Sequence, residues 1–177
     1  YNRGASLLSG NDKPLPVPRL YEKLLMLFPG YKGYKEKELI RETDRVVRDE
    51  LYRRLKESVS GLREFYSLIV SSGSTPVSDR VEKLIYRLDS LAEKTRHAPY
   101  GYKPLFHVFK VDENVLDKML ENDLNMGETV EELGKTISNK PSSIHEAESF
   151  LTNVEKLIEK YESLLEERER ILSGITR

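Results

Sequence analysis

Four long stretches of this chain repeat apolar residues at alternating spacings of three and four, and this rhythm constrains the fold more than any other feature. Between about 35 and 71 the positions are Ile40, Val47, Leu51, Leu55, Leu62, Phe65 and Ile69, and Gly61 weakens that helix locally. Between 77 and 97 they are Val77, Val81, Leu84, Leu88, Leu91 and Thr95. A third set, Val115, Leu116, Met119, Leu120, Met126, Val130, Leu133 and Ile137, spans 112–138, with Asp123 interrupting its seam. The last, Ile144, Ala147, Leu151, Val154, Ile158, Tyr161, Leu165 and Arg168, runs through 142–173. Ser71 to Pro76, Ala98-Pro99, Asn139-Lys140-Pro141 and Gly174 break the chain between or after these stretches. Each helix has one stripe to bury, and no strand alternation competes. The sequence therefore predicts an all-α fold, an elongated up-down-up-down four-helix bundle whose longest member reaches about 50 Å.

The ends of the helices are set by local chemistry. Asp112 is a credible N-cap for the third helix, and Ser142 or Ser143 with Glu146 forms a candidate capping box for the fourth. Ahead of the bundle, Pro14, Pro16 and Pro18 stand at alternate positions, which removes backbone donors and predicts an extended Pro-rich segment over 1–19. Leu20, Leu24, Leu27 and Phe28 then share a face, so a short extra helix is expected over 20–28, stopped by Pro29-Gly30. Residues 20–177 are read as one helical-bundle domain. The connection 98–111 carries Tyr100, Tyr102, Phe106 and Phe109, which predicts a packed crossing over one bundle end.

Composition excludes several function classes. There is no cysteine, so disulfide frameworks, thiolate metal sites and cysteine nucleophiles are out. One residue in three is charged, mostly Glu, Lys and Arg, with no glutamine, a pattern expected of a thermophile. The longest apolar run, Leu24 to Phe28, is far short of the roughly 18 to 20 residues that cross a bilayer. No secretory signal is visible and a cytoplasmic location is expected, although a chain beginning at Tyr1 leaves a lost anchor or signal open. The net charge of −1 conceals a split: residues 1–110 hold 21 basic and 14 acidic side chains, residues 111–177 hold 8 and 16. Either the halves interleave their charges, or a basic side meets an anionic partner.

No enzyme is expected. Di-metal bundles need Glu-x-x-His pairs, whereas Lys94, Pro104 and Ser142 stand three residues before His97, His107 and His145. Hence no metal site and no cofactor is assigned. Phosphate-binding glycine loops and serine elbows are missing too.

The most unusual strings are Tyr31-Lys32-Gly33-Tyr34-Lys35 and Tyr100-Gly101-Tyr102-Lys103, which an up-down bundle brings to one end. Tyr31, Lys32, Tyr34, Lys35, Tyr100, Tyr102 and Lys103 are the candidate binding residues, offering ammonium groups and stacking faces to a phosphate or nucleic-acid strand. The alternative is that the tyrosines pack the bundle end. Pro29 through Arg45, with Tyr100 to Val111, resembles landmarks of uncharacterised prokaryotic all-helical proteins, and no function travels with that resemblance. Two functions are carried forward. The first is a scaffold or protein-interaction module that self-associates or docks a protein partner; the second is binding of a nucleic acid or other polyanion by the basic half.

Overall fold

The computed structural model describes residues 17–33, 37–97 and 113–172. They form five α-helices and no strand: α1 (Val17–Leu27), α2 (Lys37–Ser71), α3 (Thr75–His97), α4 (Glu113–Ser138) and α5 (Ala147–Leu172), the last preceded by a 3₁₀ turn, Ile144–Glu146. The fold is all-α, as the spacing predicts. Every member of the α3 stripe is buried, Thr95 included, and so are Val47, Leu51, Leu55, Leu62, Phe65 and Ile69 of α2.

Two helix starts differ from expectation, and proline explains both. α1 begins at Val17 and α3 at Thr75, so Pro18 and Pro76 sit inside first turns instead of before them. A proline there loses no intrahelical bond and brings a helical φ. Residues 17–19, predicted as the end of an extended segment, are therefore helical; residues 1–16 lie outside the described residues, as do the Asp112 cap and the 98–111 crossing. A third difference is at α5, where the expected capping box does not form. The Ser143 side chain makes no capping bond, and a 3₁₀ turn leads into the helix at Ala147.

Named contacts give the packing order. Lys56 and Tyr52 of α2 reach Asp89 and Glu93 of α3, so these helices run antiparallel. α4 and α5 form a second antiparallel pair, with Asn122 donating to the Leu164 carbonyl. The two hairpins lie side by side, α2 against α4 and α3 against α5. Those lateral pairs are parallel: Arg80 meets Glu148 and Glu155, and Arg87 meets Glu159 and Glu162 farther along both helices. Consecutive α3 and α4 are not among the closely packed pairs of the described residues. Chain order alternates direction as predicted, while the spatial neighbours across the hairpins are parallel.

Two helix-interior glycines mark where backbones crowd. A Cβ on Gly61 would lie 2.5 Å from Ile137 Cγ2, so the glycine that weakens α2 in isolation lets α4 approach it. A Cβ on Gly127 would lie 2.9 Å from Phe28 Cζ. That glycine seats α1, whose Leu20, Leu24, Leu27 and Phe28 are all buried. Within the bundle, α4 therefore carries two stripes: one buried in the core through Met119, Met126, Val130 and Leu133, and one that includes Gly127, beneath Leu27 and Phe28.

Candidate functional site

A cluster of charge lies inside the bundle, toward the end where the segment after α1 meets α4 and α5. Asp44 and Arg48 come from α2, Asp123 from α4 and Arg168 from α5, and all four are buried. The Arg168 guanidinium bridges two helices: Nη1 donates to Asp44 Oδ1 at 2.6 Å and Nε to Asp123 Oδ1 at 2.8 Å. Arg48 Nη2 donates to Asp44 Oδ2 one helical turn away. Tyr31 completes the set, its hydroxyl donating to Asp123 Oδ2 at 3.4 Å. Two cations balance two anions, which is what allows such groups to leave water.

Neighbouring polar groups extend this centre. Thr43 donates to the carbonyl of Gly33, at 2.8 Å. Gly30 and Gly33 both have positive φ, which permits the tight return from α1 that delivers Tyr31 to Asp123. Deeper in the core, Thr95 Oγ1 gives its proton to the Leu91 carbonyl, so the Tyr161 hydroxyl 2.9 Å away is the donor to Thr95. Burial pushes the Tyr161 phenol well above its ordinary range, keeping it neutral.

Chemically this arrangement is a lock. Guanidinium groups do not release protons at ordinary pH, and none of the four side chains opens to solvent. Among the described residues no group of three or more metal-ligating side chains could hold an ion.

Of the candidate binding residues, the structure describes two. The Tyr31 ring is buried, edge-on to Tyr21 at 6.0 Å, while Tyr21 donates to the Tyr31 carbonyl. Lys32 is exposed and holds both carboxylate oxygens of Glu42 at 2.9 Å. Tyr34, Lys35, Tyr100, Tyr102 and Lys103 lie outside the described residues.

Sequence reasoning saw half of the charge centre. Asp123 and Arg168 stand out as charged residues on apolar seams. Arg48 lies off the apolar positions of α2, where a solvated charge is expected, but the structure buries it beside Asp44. The available signal was Asp44 itself, three residues before Val47 and seven before Leu51, a seam position occupied by a charge.

Outside the centre, ion pairs join the helices. Arg80 of α3 forks onto Glu155 of α5 at 3.1 and 2.6 Å, and Arg87 forks onto Glu162 at 3.0 and 2.6 Å. Lys56 joins α2 to Asp89, and Lys140 joins the α4–α5 turn to Glu64. Arg80 and Arg87 thus pair two cations of the basic half with carboxylates of the acidic half. The hydrogen bonds from Arg80 and Arg87 hold the Glu155 and Glu162 carboxyls below their ordinary value. A carboxyl whose folded pKa is depressed adds stability above its unfolded value, near 4.5, and loses it as pH falls through that value toward the folded one. Replacing Arg80 and Arg87 by Met is expected to cost about 0.5–1 kcal/mol per fork at neutral pH, shrinking toward zero in acid. Urea unfolding of the pair of proteins across that pH range measures it, and a difference that persists at low pH refutes the assignment.

No protein-family model, curated protein or solved structure matches this chain, so its role is argued from these residues alone.

Proposed function

We propose that the chain is a non-enzymatic helical-bundle interaction module, acting in the cytoplasm through contacts with protein, a second copy of itself included. The observation that carries the reading is the pairing of Arg80 and Arg87 with α5 carboxylates, because it engages two arginines of the basic half inside the molecule. Arg53 and Arg54 add to it by engaging Glu50, and Lys32 by engaging Glu42. A polyanion would have to compete with each of these carboxylates. A rod of interlocked helices with a charge-balanced interior supplies rigid, addressable faces, which is what a scaffold requires.

The test sets this against binding of a nucleic acid or other polyanion by the basic half. Fluorescence anisotropy with a labelled single-stranded oligonucleotide at low salt is expected to show weak binding, unchanged when Lys32, Lys35 and Lys103 are replaced together by Glu. Tight binding that falls steeply with salt, and is lost in the triple variant, would overturn the proposal in favour of polyanion recognition.

A further inference from the structure

The surfaces along which the α2–α3 and α4–α5 hairpins meet repeat every seven residues. Met119, Met126 and Leu133 are buried at that spacing on α4, and Ala147, Val154 and Tyr161 on α5. The ion ladder outside repeats too: Arg80 and Arg87 stand seven apart on α3, as do Glu148, Glu155, Glu162 and Glu169 on α5. Arg80 already reaches both Glu148 and Glu155. A slide of the α4–α5 hairpin by one heptad, about 10 Å, toward the Ser71–Thr75 turn therefore keeps like against like. Glu162 replaces Glu155 beside Arg80, Glu169 replaces Glu162 beside Arg87, and Val130 replaces Ile137 beside Gly61. The slide also moves cover toward the end of α2 where Leu68 and Val70 stand exposed. Neither the apolar seam nor the outer ladder excludes this second register.

The charge centre does exclude it. One heptad from Asp44 stands Leu51, from Asp123 Val130 and from Arg168 Tyr161, so the charges have no counterpart in the next layer. Two of the ion pairs are indifferent to the slide, because Asp44 and Arg48 share α2, and Asp123 and Arg168 share the α4–α5 hairpin. The bond from Arg168 Nη1 to Asp44 Oδ1, buried and 2.6 Å long, joins one hairpin to the other and breaks. Arg168 would then lie level with Leu51, and Asp44 would lose one of its two cations. Helix α1 restrains the same register, since Leu120, seven residues before Gly127, would come beneath Phe28, where even a Cβ is crowded.

We propose that the bridge from Arg168 to Asp44 sets the register in which the two hairpins dock, and with it the seat of α1. An apolar interface with a seven-residue repeat gains a unique alignment from a buried polar contact, as a coiled coil does from one buried polar side chain.

The chain has no cysteine, so spin labels on Asp49→Cys and Ser149→Cys, both exposed, mark α2 and α5 alone for double electron–electron resonance on the full chain. The decisive variant moves the key. Asp44→Leu, Arg48→Leu, Leu51→Asp and Leu55→Arg carry the α2 half of the bridge one heptad along, and Leu120→Gly carries the seat of Phe28 with it. The expected result is a label separation about 10 Å longer than in the parent chain, with helix content unchanged. An unchanged separation overturns the proposal, because the register then follows apolar packing and not the bridge. If the transposed chain loses its helix content, a neutralised one decides: Asp44→Leu, Arg48→Met, Asp123→Leu and Arg168→Met, again with Leu120→Gly. Two separations about 10 Å apart are expected there. A single separation equal to that of the parent overturns the proposal. So does loss of helix content in the neutralised chain, which would show that the centre holds up the fold and not its register.

Discussion

Arg168→Met is expected to lower the free energy of unfolding by about 3–5 kcal/mol, the largest loss for any single charge change in this molecule. Its guanidinium holds Asp44 of α2 and Asp123 of α4 from a position on α5, and removing it leaves two buried carboxylates sharing one buried cation, Arg48. The loss is the desolvation of the one negative charge that Arg48 does not balance, and greatly exceeds the few tenths to about 1 kcal/mol of an exposed pair. Urea unfolding at neutral pH measures it. A companion variant separates the ion pairs from the space they fill: replacing Asp44 and Asp123 by Leu together with Arg48 and Arg168 by Met is expected to restore most of the stability, because no charge is then stranded. A single-variant loss below about 1 kcal/mol would mean that the centre is solvated and that this account of it is wrong.

Phe28→Ala is expected to cost a comparable amount, about 3–5 kcal/mol, by a different mechanism. The ring is fully buried where α1 meets α4, against the face of Gly127 and 6.3 Å from the Tyr31 ring. Truncation leaves a cavity that Gly127 cannot fill, and it loosens the anchor of an eleven-residue helix too short to persist alone. Hydrogen exchange should therefore rise across Val17–Leu27 well before it rises in α3, which α1 does not closely pack against. Equal acceleration in both helices would show that α1 is not a separable unit and would sink this part of the argument.

Both predictions concern residues whose importance was only partly legible in the sequence. Leu20, Leu24, Leu27 and Phe28 announce a short amphipathic helix, and the structure buries all four. Nothing in their spacing names α4 as the surface they cover, because α4's second stripe beside Gly127 overlaps the stripe it turns to the core. Asp123 and Arg168 are visible as charges on seams, yet neither identifies the other. Recognising a buried ion pair from sequence requires knowing which seams meet, and in a bundle every seam has the same period. The burial of Arg48 is hidden for the related reason that it lies at the margin of the α2 stripe, next to Val47, where a small rotation of the helix decides between water and core.

Hydrophobic periodicity and the breaks at glycine and proline, all local quantities, are enough to determine five helices, most of their inward-facing residues and the alternation of chain direction. They do so because a helix face is set by residues three and four apart and a helix end by its own few neighbours. The tertiary structure alone decided that α2 lies beside α4 and α3 beside α5, that Arg80 and Arg87 of the basic half meet carboxylates of the acidic half, and that four charges from three helices meet inside the bundle. Those outcomes depend on clearances such as Gly61 against Ile137 and on pairing between residues more than forty positions apart, and no local pattern encodes the distance between two helices.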